Sequence, residues 1–253
     1  MKRPITYHIA RLVRALTFTP RPHTAAVILA GGTGSRMGDT GGVAKQWLRL
    51  GGVTVLEHSV RAFEECPHID EIVVVVRRGE GDSAAALLRA MGTKKVRAVV
   101  AGGATRQHSA YNGARRVSDK TKYIAVHDAA RPLVSPEDIS AVVTTAYRER
   151  AASLGSPVVD TVKRVDSRGY VIETKDRREL WLAATPQVFS YPMYLSAAKA
   201  ALRMRHDVTD DNMLMESIGQ RVRMVAARSE VMKITTPRDL AVAEALIERK
   251  GER

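Results

Sequence analysis

Residues 25–38, AAVILAGGTGSRMG, carry the residue types that most clearly suggest chemistry. An apolar run leads into Gly31, Gly32 and Gly34, so the backbone can turn tightly and present its N–H groups to an anion without interference from a Cβ atom. The spacing has neither the Gly-Lys-Ser/Thr of a Walker A loop nor the G-x-G-x-x-G of dinucleotide-binding folds. The glycines alone are therefore compatible with a phosphate-binding turn or with an ordinary tight turn.

Two cations close to these glycines favour the phosphate-binding interpretation. Arg36 lies within the same stretch, and Lys45 comes shortly before the apolar residues Trp47 and Leu48. A loop with both charges can fold over a polyphosphate and neutralise it. A solvated basic loop is the plainer alternative.

The charge of the whole chain also predicts an anionic partner. Its 40 Lys and Arg residues exceed its 27 Asp and Glu residues, which gives a formal net charge of +13. Aromatic residues make up only 5% of the chain, whereas surfaces that bind nucleic acid often combine basic residues with aromatic stacking platforms. We therefore expect small phosphorylated ligands as partners and no nucleic acid.

The composition limits the class of protein and its compartment. With 45% hydrophobic and 26% charged residues, the chain is typical of a globular protein. Its apolar runs are much shorter than the roughly 18 residues that cross a bilayer, so we expect no membrane-spanning helix. The single cysteine, Cys66, cannot form an internal disulfide, which predicts a reducing compartment and hence the cytoplasm.

From residue 25 onward, apolar runs alternate with segments of helical periodicity. Wholly apolar strands that are each followed by a helix are typical of buried parallel strands, so the pattern predicts an α/β fold with a doubly wound, mainly parallel sheet. Such folds bind ligands at the carboxyl ends of their strands, where the glycine-rich stretch lies. The predicted strands are 25–30, 71–77, 95–100, 122–127, 152–158 and 221–226. The predicted helices are 55–65, 82–91, 106–117, 135–150, 191–202, 209–218 and a last helix from the N-cap Thr236 to about 249.

The first 24 residues are interpreted as a basic extension of a single domain that spans residues 25–253. Ile9, Leu12, Val13 and Leu16 recur at helical spacing, which predicts one short amphipathic helix. A loosely packed extension, a transit peptide and a membrane-surface helix all have this composition.

The segment 160–174, DTVKRVDSRGYVIET, interrupts the alternation of strands and helices. Two alternating runs flank a turn, so the pattern predicts a β-hairpin. An isolated hairpin is only marginally stable in water. We therefore expect a projecting dimerisation arm, over about 159–177, that packs on a second subunit.

Several motifs together resemble one known family. The glycine-rich loop followed by Lys45-Gln46 resembles that of nucleotidyltransferases that join a sugar or polyol phosphate to a nucleoside triphosphate. Later segments narrow the resemblance to the 2-C-methyl-D-erythritol 4-phosphate cytidylyltransferase family, over about residues 25–247. In chain order these segments are Ala101-Gly102-Gly103 with Arg106 and Ser109, His127-Asp128-Ala129-Ala130-Arg131-Pro132, Asp160-Thr161-Val162-Lys163-Arg164, Asp176-Arg177 with Leu180-Trp181 and Thr185-Pro186-Gln187, and Lys233-Ile234-Thr235-Thr236-Pro237 with Asp239-Leu240.

The resemblance implies a Rossmann-like fold of the nucleotide-diphospho-sugar transferase type. It implies that the phosphate of 2-C-methyl-D-erythritol 4-phosphate attacks the α-phosphorus of CTP and releases pyrophosphate, in the non-mevalonate route to isoprenoids. A homodimer and Mg²⁺ as cofactor are implied as well. A phosphate monoester is already an anionic nucleophile, so this chemistry depends on charge neutralisation and alignment rather than on a general base.

The resemblance also implies roles for individual residues. The catalytic residues are Arg36, Lys45 and Lys233. The nucleotide-binding residues are Leu29, Ala30, Gly31, Gly32, Gly103, Ser109 and Asp128. Asp128 is also the candidate metal ligand, unless the metal is held through the CTP phosphates alone. The substrate-binding residues are Ala129, Arg131, Thr161, Arg177 and Thr185, with Arg177 donated across the dimer.

Each assignment has a plainer structural alternative. Asp128 is also compatible with a turn or helix-capping role, and Arg131 with a surface ion pair. Thr161 is compatible with an ordinary strand position, and Ser109 with a helix N-terminal hydroxyl. His127 is interpreted as a packing residue or as a support for neighbouring site residues.

The sequence departs from the family at three places. Before Lys45-Gln46, Val43-Ala44 replaces the expected proline, and residues 39–42 look longer and richer in glycine. The segment Thr209-Asp210-Asp211-Asn212 keeps the Thr-Asp pair but departs after it. The third departure concerns the base. Ala104 stands where we expect an acidic side chain to meet the cytosine amine, so base discrimination would depend more on backbone groups.

The nearest alternative function is ribitol-5-phosphate cytidylyltransferase, which shares the loop, the cytidine site and the final lysine. A distant alternative is a nucleic-acid-binding or membrane-surface protein that uses the +13 charge.

Overall fold

One seven-stranded sheet with helices on both faces organises the fold. The computed structural model describes residues 20–32 and 44–251, so Arg36 and the helix predicted near the N-terminus lie outside the described residues. The strands are β1 (Thr24–Ala30), β2 (Arg49–Leu50), β3 (Val53–Thr54), β4 (Glu71–Val76), β5 (Val96–Ala101), β6 (Tyr123–Asp128), β7 (Ala151–Pro157), β8 (Lys163–Val165), β9 (Val171–Thr174), β10 (Trp181–Ser190) and β11 (Arg223–Ala226). The helices are α1 (Val55–Glu65), α2 (Gly81–Ala90), α3 (Arg106–Ala114), α4 (Pro136–Glu149), α5 (Tyr191–Arg203), α6 (Asn212–Ser217) and α7 (Pro237–Gly251).

The order of the strands confirms the predicted doubly wound, mainly parallel sheet. The order is β11-β7-β10-β6-β1-β4-β5. Only β10 runs antiparallel to its two neighbours in this sheet, while β1 is parallel to both β4 and β6. The path of the chain reverses direction across the sheet at β1, so the carboxyl end of β1 is the expected ligand-binding edge.

The core lies on both faces of the sheet because alternate strand residues point to opposite sides. In β1, Ala26 and Ile28 belong to the cluster that contains Phe63 of α1. Val27 belongs to the cluster on the other face, with Tyr194 of α5. All five side chains are fully buried. Full burial of one such large side chain stabilises the fold by about 1.5–3 kcal/mol.

Strand β10 is the main element that the sequence pattern did not predict. Pro186 interrupts its run of residues and lacks an N–H donor, which argues against a central strand. In the structure, the pairing of β10 with β7 shifts between Ala183 and Gln187, so the proline falls in the irregular part of the ladder. The strand therefore tolerates the proline and places Thr185 beside the end of β6.

The predicted hairpin is confirmed as the antiparallel pair β8 and β9. Asp166 closes its turn by accepting hydrogen bonds from the backbone N–H groups of Arg168 and Tyr170. Its apolar side chains are exposed, with Tyr170 at 70% and Ile172 at 51% of their accessible surface. Exposed apolar side chains of this size favour contact with another surface.

Within residues 20–32 and 44–251, the seven α-helices occur in the order of the seven helices predicted there. Hydroxyl groups cap the starts of α4 and α7, and the second of these caps is the predicted N-cap Thr236. The Ser135 hydroxyl accepts from the N–H of Asp138 at the start of α4, and the Thr236 hydroxyl accepts from the N–H of Asp239 at the start of α7. Among the described residues, no helix has the length and apolar character needed to cross a membrane.

Candidate active site

A cavity of 310 Å³ opens at the carboxyl ends of β1, β5 and β6, where the fold class predicts a ligand site. All seven predicted nucleotide-binding residues line it, together with Lys45, Lys233 and Ala129. Five further lining residues lie outside the predicted site set, and these are Gln46, Ala104, Thr105, Arg106 and Ala130. Segments that are far apart in the sequence therefore meet around one cavity.

Asp128, the last residue of β6, is the negative centre of this cavity. Its Oδ1 atom lies 2.9 Å from Nε of Arg106, and its Oδ2 atom lies 2.6 Å from Nζ of Lys233. Burial disfavours the charged carboxylate, but Arg106 and Lys233 outweigh this effect and hold the pKa of Asp128 well below its usual range. Asp128 is therefore an anion held between two cations.

Arg106, the first residue of α3, bridges two acidic side chains. Besides Asp128, it contacts Oδ2 of Asp211 through a nitrogen 2.7 Å away, and Asp211 in turn accepts a hydrogen bond from the buried Tyr194 hydroxyl. Burial works against the charged guanidinium, yet the two carboxylates raise the pKa of Arg106. The sequence motif contained Arg106 without assigning it a role, and its partner Asp211 was not among the predicted site residues.

Lys233 is positioned by the apolar residue that follows it. Ile234 is fully buried, and its N–H donates to the carbonyl of Ala130, 2.8 Å away. The carbonyl of Ile234 lies 3.5 Å from Nζ of Lys45. Lys45 therefore lies close to the segment that contains Lys233, although the two lysines are far apart in the sequence.

The loop after β5 is tied to α3 by the Ser109 hydroxyl. This hydroxyl accepts from the N–H of Gly103 at 3.0 Å and donates to the carbonyl of Thr105 at 2.9 Å. A Cβ atom on Gly103 would lie 2.4 Å from Cβ of His108, so this position requires glycine. Ser109 is thus a helical residue near the start of α3 and a residue of the cavity wall at the same time.

Close packing does not require glycine at Gly31 or Gly32, the two residues after β1. A Cβ atom on Gly31 would lie 3.7 Å from its nearest neighbour among the described residues, and one on Gly32 would lie 3.6 Å from Cε of Lys45. Both are ordinary contact distances. Because both glycines line the cavity, their lack of side chains keeps this wall open to a ligand.

Thr185 and His127 support Asp128 from beneath the cavity. The Thr185 hydroxyl accepts from the N–H of Asp128 and lies 3.0 Å from Nδ1 of His127. Thr185 is only 3% exposed. The His127 ring is fully buried against Phe63, with 4.8 Å between ring centroids. This arrangement agrees with the interpretation of His127 as a packing and supporting residue.

We expect His127 to make folding stability depend on pH. Burial lowers the pKa of His127 to about 3, below the value near 6.5 of an unfolded histidine. Between these values the unfolded state binds the extra proton, so stability is fully present above pH 6.5 and is lost as the pH falls toward 3. Urea unfolding between pH 7 and 5 measures the slope, which is at most about 1.4 kcal/mol per pH unit from this group.

The variant His127→Gln removes the titrating ring and leaves an amide in its place. We expect its unfolding free energy to lose this part of the pH dependence, whereas the control His206→Gln, at an exposed position, keeps it. Equal slopes for the wild type and His127→Gln would contradict a neutral, buried His127.

Four predicted substrate-binding residues do not line the cavity within one chain. Arg131 donates hydrogen bonds to the carbonyls of Val231 and Ala183, and burial lowers its pKa. Thr161 and Arg177 are exposed, and a guanidinium nitrogen of Arg177 donates to the carbonyl of Val159 at 2.6 Å. Together with Thr185, these side chains lie outside the cavity wall.

Comparison with known proteins assigns the chain to a family. The model of the 2-C-methyl-D-erythritol 4-phosphate cytidylyltransferase (IspD) family matches residues 24–249. The chain belongs to this family. Relatives of that name from Pelotomaculum thermopropionicum and Desulforamulus reducens are 44% and 43% identical, over 90% and 89% of this chain and 96% of each relative.

Solved structures agree with this assignment. The 4-diphosphocytidyl-2C-methyl-D-erythritol synthase from Anaerococcus prevotii is similar with a TM-score of 0.79 and 28% identity, over 89% of this chain and 96% of that chain. The cytidylyltransferase from Thermus thermophilus has a TM-score of 0.72 and 29% identity, over 88% and 98% of the two chains. As a member of the IspD family, the chain is an enzyme of the nucleotidyltransferase class.

IspD enzymes are nucleotidyltransferases, which generally use a divalent metal ion, and the cavity has a suitable ligand. Asp128 is the one carboxylate among the described residues that line it. No group of three or more metal-binding side chains occurs in residues 20–32 and 44–251. A site with one carboxylate fits Mg²⁺, which is commonly held by one or two carboxylates together with substrate phosphates and water.

Proposed function

We propose that this chain transfers CMP from CTP to 2-C-methyl-D-erythritol 4-phosphate and releases pyrophosphate, as part of non-mevalonate isoprenoid synthesis. The observation that carries this proposal is the convergence of four distant motifs on one cavity. Gly31 and Lys45, Gly103 and Ser109, Asp128, and Lys233 come from separate parts of the chain and line the same space.

The proposed catalytic work is electrostatic. The attacking phosphate and the triphosphate of CTP are both anionic, so their mutual repulsion and alignment form most of the barrier. Lys45 and Lys233 both supply positive charge at the cavity wall, and Lys45 reaches the carbonyl of Ile234, the residue after Lys233. Arg36 is proposed as a third cation for the triphosphate, although it lies outside the described residues.

The cytosine is proposed to bind against the loop after β5. Gly103 and Ala104 give this wall of the cavity small residues, and the Ser109 hydroxyl holds the loop in place. Ala104 has no hydrogen-bonding side chain, so we propose that backbone groups read the base. Leu29, Ala30 and Gly32 complete the nucleotide-binding wall.

Asp128 is proposed to hold Mg²⁺, with phosphate oxygens and water as the other ligands. The bound ion would withdraw charge from the phosphates of CTP. The pKa of Asp128, lowered despite burial by Arg106 and Lys233, keeps this carboxylate ionised for that purpose. The Thr185 hydroxyl orients it by accepting from its backbone N–H, and Nδ1 of His127 lies within hydrogen-bond distance of that hydroxyl.

The acceptor phosphate is proposed to bind beside Ala129 with help from Arg131, Thr161, Arg177 and Thr185. Because Thr161 and Arg177 lie near the exposed hairpin and outside the cavity of their own chain, we propose a homodimer in which the arm over residues 159–177 reaches the partner's site. Ribitol 5-phosphate is the less favoured acceptor, since the relatives that match are named for methylerythritol phosphate. The free thiol of Cys66 supports a reducing, cytoplasmic location.

We expect the enzyme to select CTP and to require a divalent metal. Gly103 and Ser109 offer small hydrogen-bonding surfaces that suit a pyrimidine, and the phosphates need their charge neutralised. Pyrophosphate release with CTP, UTP, ATP and GTP, in Mg²⁺ and in EDTA, measures both properties. Equal turnover of a purine nucleotide, or full activity in EDTA, would contradict the proposed function.

A further inference from the structure

The turn that follows β4 contacts both stretches that flank residues 33–43. A guanidinium nitrogen of Arg77 donates to the carbonyl of Gly32, 2.7 Å away. At the other stretch, the side-chain amide of Gln46 donates to the Glu80 carboxylate, with distances of 2.9 and 3.2 Å to its two oxygens. Gln46 directly follows Lys45 in the sequence. One short turn therefore binds the chain on both sides of this segment.

The turn itself is held in a defined shape. The N–H of Glu80 donates to the carbonyl of Arg77 at 3.1 Å, and the Glu80 carboxylate accepts from the N–H of Arg77 at 3.3 Å. Gly79 has a φ of +87°, a conformation that favours glycine. Arg77 and Glu80 are thus fixed relative to β4, which lies next to β1 in the sheet.

The hydrogen bonds between Gln46 and Glu80 fix a residue of the cavity wall. Gln46 is 2% exposed and lines the cavity beside Lys45. Hydrogen bonds to an ionised carboxylate are shorter and stronger than neutral ones. The position of Gln46, and through it that of Lys45, therefore depends strongly on Glu80.

We propose that Arg77 and Glu80 are positioning residues that hold Gly32 and Lys45 at the spacing the nucleotide phosphates need. We call these two residues the β4 clasp. A Cβ atom on Gly32 would lie 3.6 Å from Cε of Lys45, so the two stretches face each other closely across the cavity wall. The clasp acts through Gly32 and Gln46, since neither of its residues lines the cavity. The inference rests on the proposed function, because it assumes that CTP binds there.

The first test compares Arg77→Ala and Glu80→Ala with the control Arg78→Ala. Arg78 is the exposed neighbour in the same turn, so its loss changes the net charge as Arg77→Ala does without removing a clasp residue. We expect both clasp variants to raise the Kd of CTP, measured by calorimetry, and its KM by about tenfold. The control keeps the wild-type Kd and KM, and the clasp variants remain cooperatively folded at the assay temperature without nucleotide.

The second test exchanges the two partners of the buried contact. Gln46→Glu places a carboxylate against Glu80, and we expect it to weaken CTP binding at least about tenfold through repulsion and lost hydrogen bonds. The double variant Gln46→Glu/Glu80→Gln restores a carboxylate and an amide in exchanged positions. Residue 46 then carries a negative charge on the cavity wall, so we expect the double variant to bind CTP more tightly than Gln46→Glu without reaching the wild-type Kd.

The outcomes separate the clasp from the proposed function. Suppose that the wild type and the clasp variants bind CTP equally well, or that Arg78→Ala weakens binding as much as the clasp variants do. The inference about the β4 clasp is then wrong, and the proposed function stands. A lower melting temperature in the clasp variants together with a failed exchange would show a merely structural role and overturn the inference. If the wild-type enzyme itself does not bind CTP, the proposed function fails, and the clasp fails with it.

Discussion

Replacing Lys233 with Met is expected to lower kcat by at least about 100-fold while the chain remains folded. Lys233 lies 2.6 Å from Asp128 on the wall of the cavity, and the buried Ile234 fixes its position. Its charge stabilises the additional negative charge of the transition state, so its loss acts on kcat. Asp128 keeps Arg106 as a partner in the variant, so no buried carboxylate is left without a cation.

Lys45→Met is expected to lower kcat to a similar extent, because Lys45 also lines the cavity. Steady-state kinetics with varied CTP measure kcat and KM for both variants. Lys199→Met, on the exposed side of α5, is the matched control and keeps wild-type kinetics. A variant with normal kcat and only a raised KM would show that its lysine binds substrate and transition state equally, against the catalytic role.

Mixing two inactive variants, Arg177→Ala and Lys45→Ala, is expected to restore activity. If Arg177 of one subunit completes the site of the other, the mixed dimer has one site with both wild-type residues and one site with neither. At random exchange, half of the dimers are mixed, so we expect about one quarter of the wild-type activity. The structure motivates this result, because Arg177 lies outside the cavity of its own chain.

The arm gives the exchange its physical basis. Val165, Tyr170 and Ile172 are exposed on β8, β9 and their turn, and a second subunit would cover them. Mass spectrometry confirms the exchange of subunits, and each variant mixed with itself is the control. If exchange is complete and activity stays at the level of the single variants, Arg177 acts within its own chain or has no catalytic effect.

The sequence predicted most of the sheet because its strands carry an unambiguous pattern. Runs such as Glu71–Val76 are wholly apolar after their first residue, which only a doubly covered strand allows. Strand β10 escaped prediction because Pro186 lies inside it, and only the shifted pairing with β7 makes room for the proline. That tolerance depends on tertiary structure and leaves no local signal.

The site was predictable where function requires a short motif and unpredictable where it requires a distant partner. Recognisable motifs contain Gly31, Gly32, Gly103, Lys45 and Lys233, and the structure brings these five residues to one cavity. The pairing of Arg106 with Asp211 and that of Glu80 with Gln46 join residues that are well separated in sequence. A single sequence does not show such pairs, because the residues next to Asp211 or Glu80 look the same whether or not that side chain has a distant partner.

The acceptor specificity of the wild-type enzyme tests the central claim most directly. The enzyme is incubated with CTP, Mg²⁺ and, in separate reactions, 2-C-methyl-D-erythritol 4-phosphate, ribitol 5-phosphate or erythritol 4-phosphate, and the products are identified by mass spectrometry. We expect 4-diphosphocytidyl-2-C-methyl-D-erythritol and pyrophosphate in equal amounts, with kcat/KM highest for methylerythritol phosphate. A higher kcat/KM for ribitol 5-phosphate, or no cytidylyl transfer to any of the three, would contradict the account.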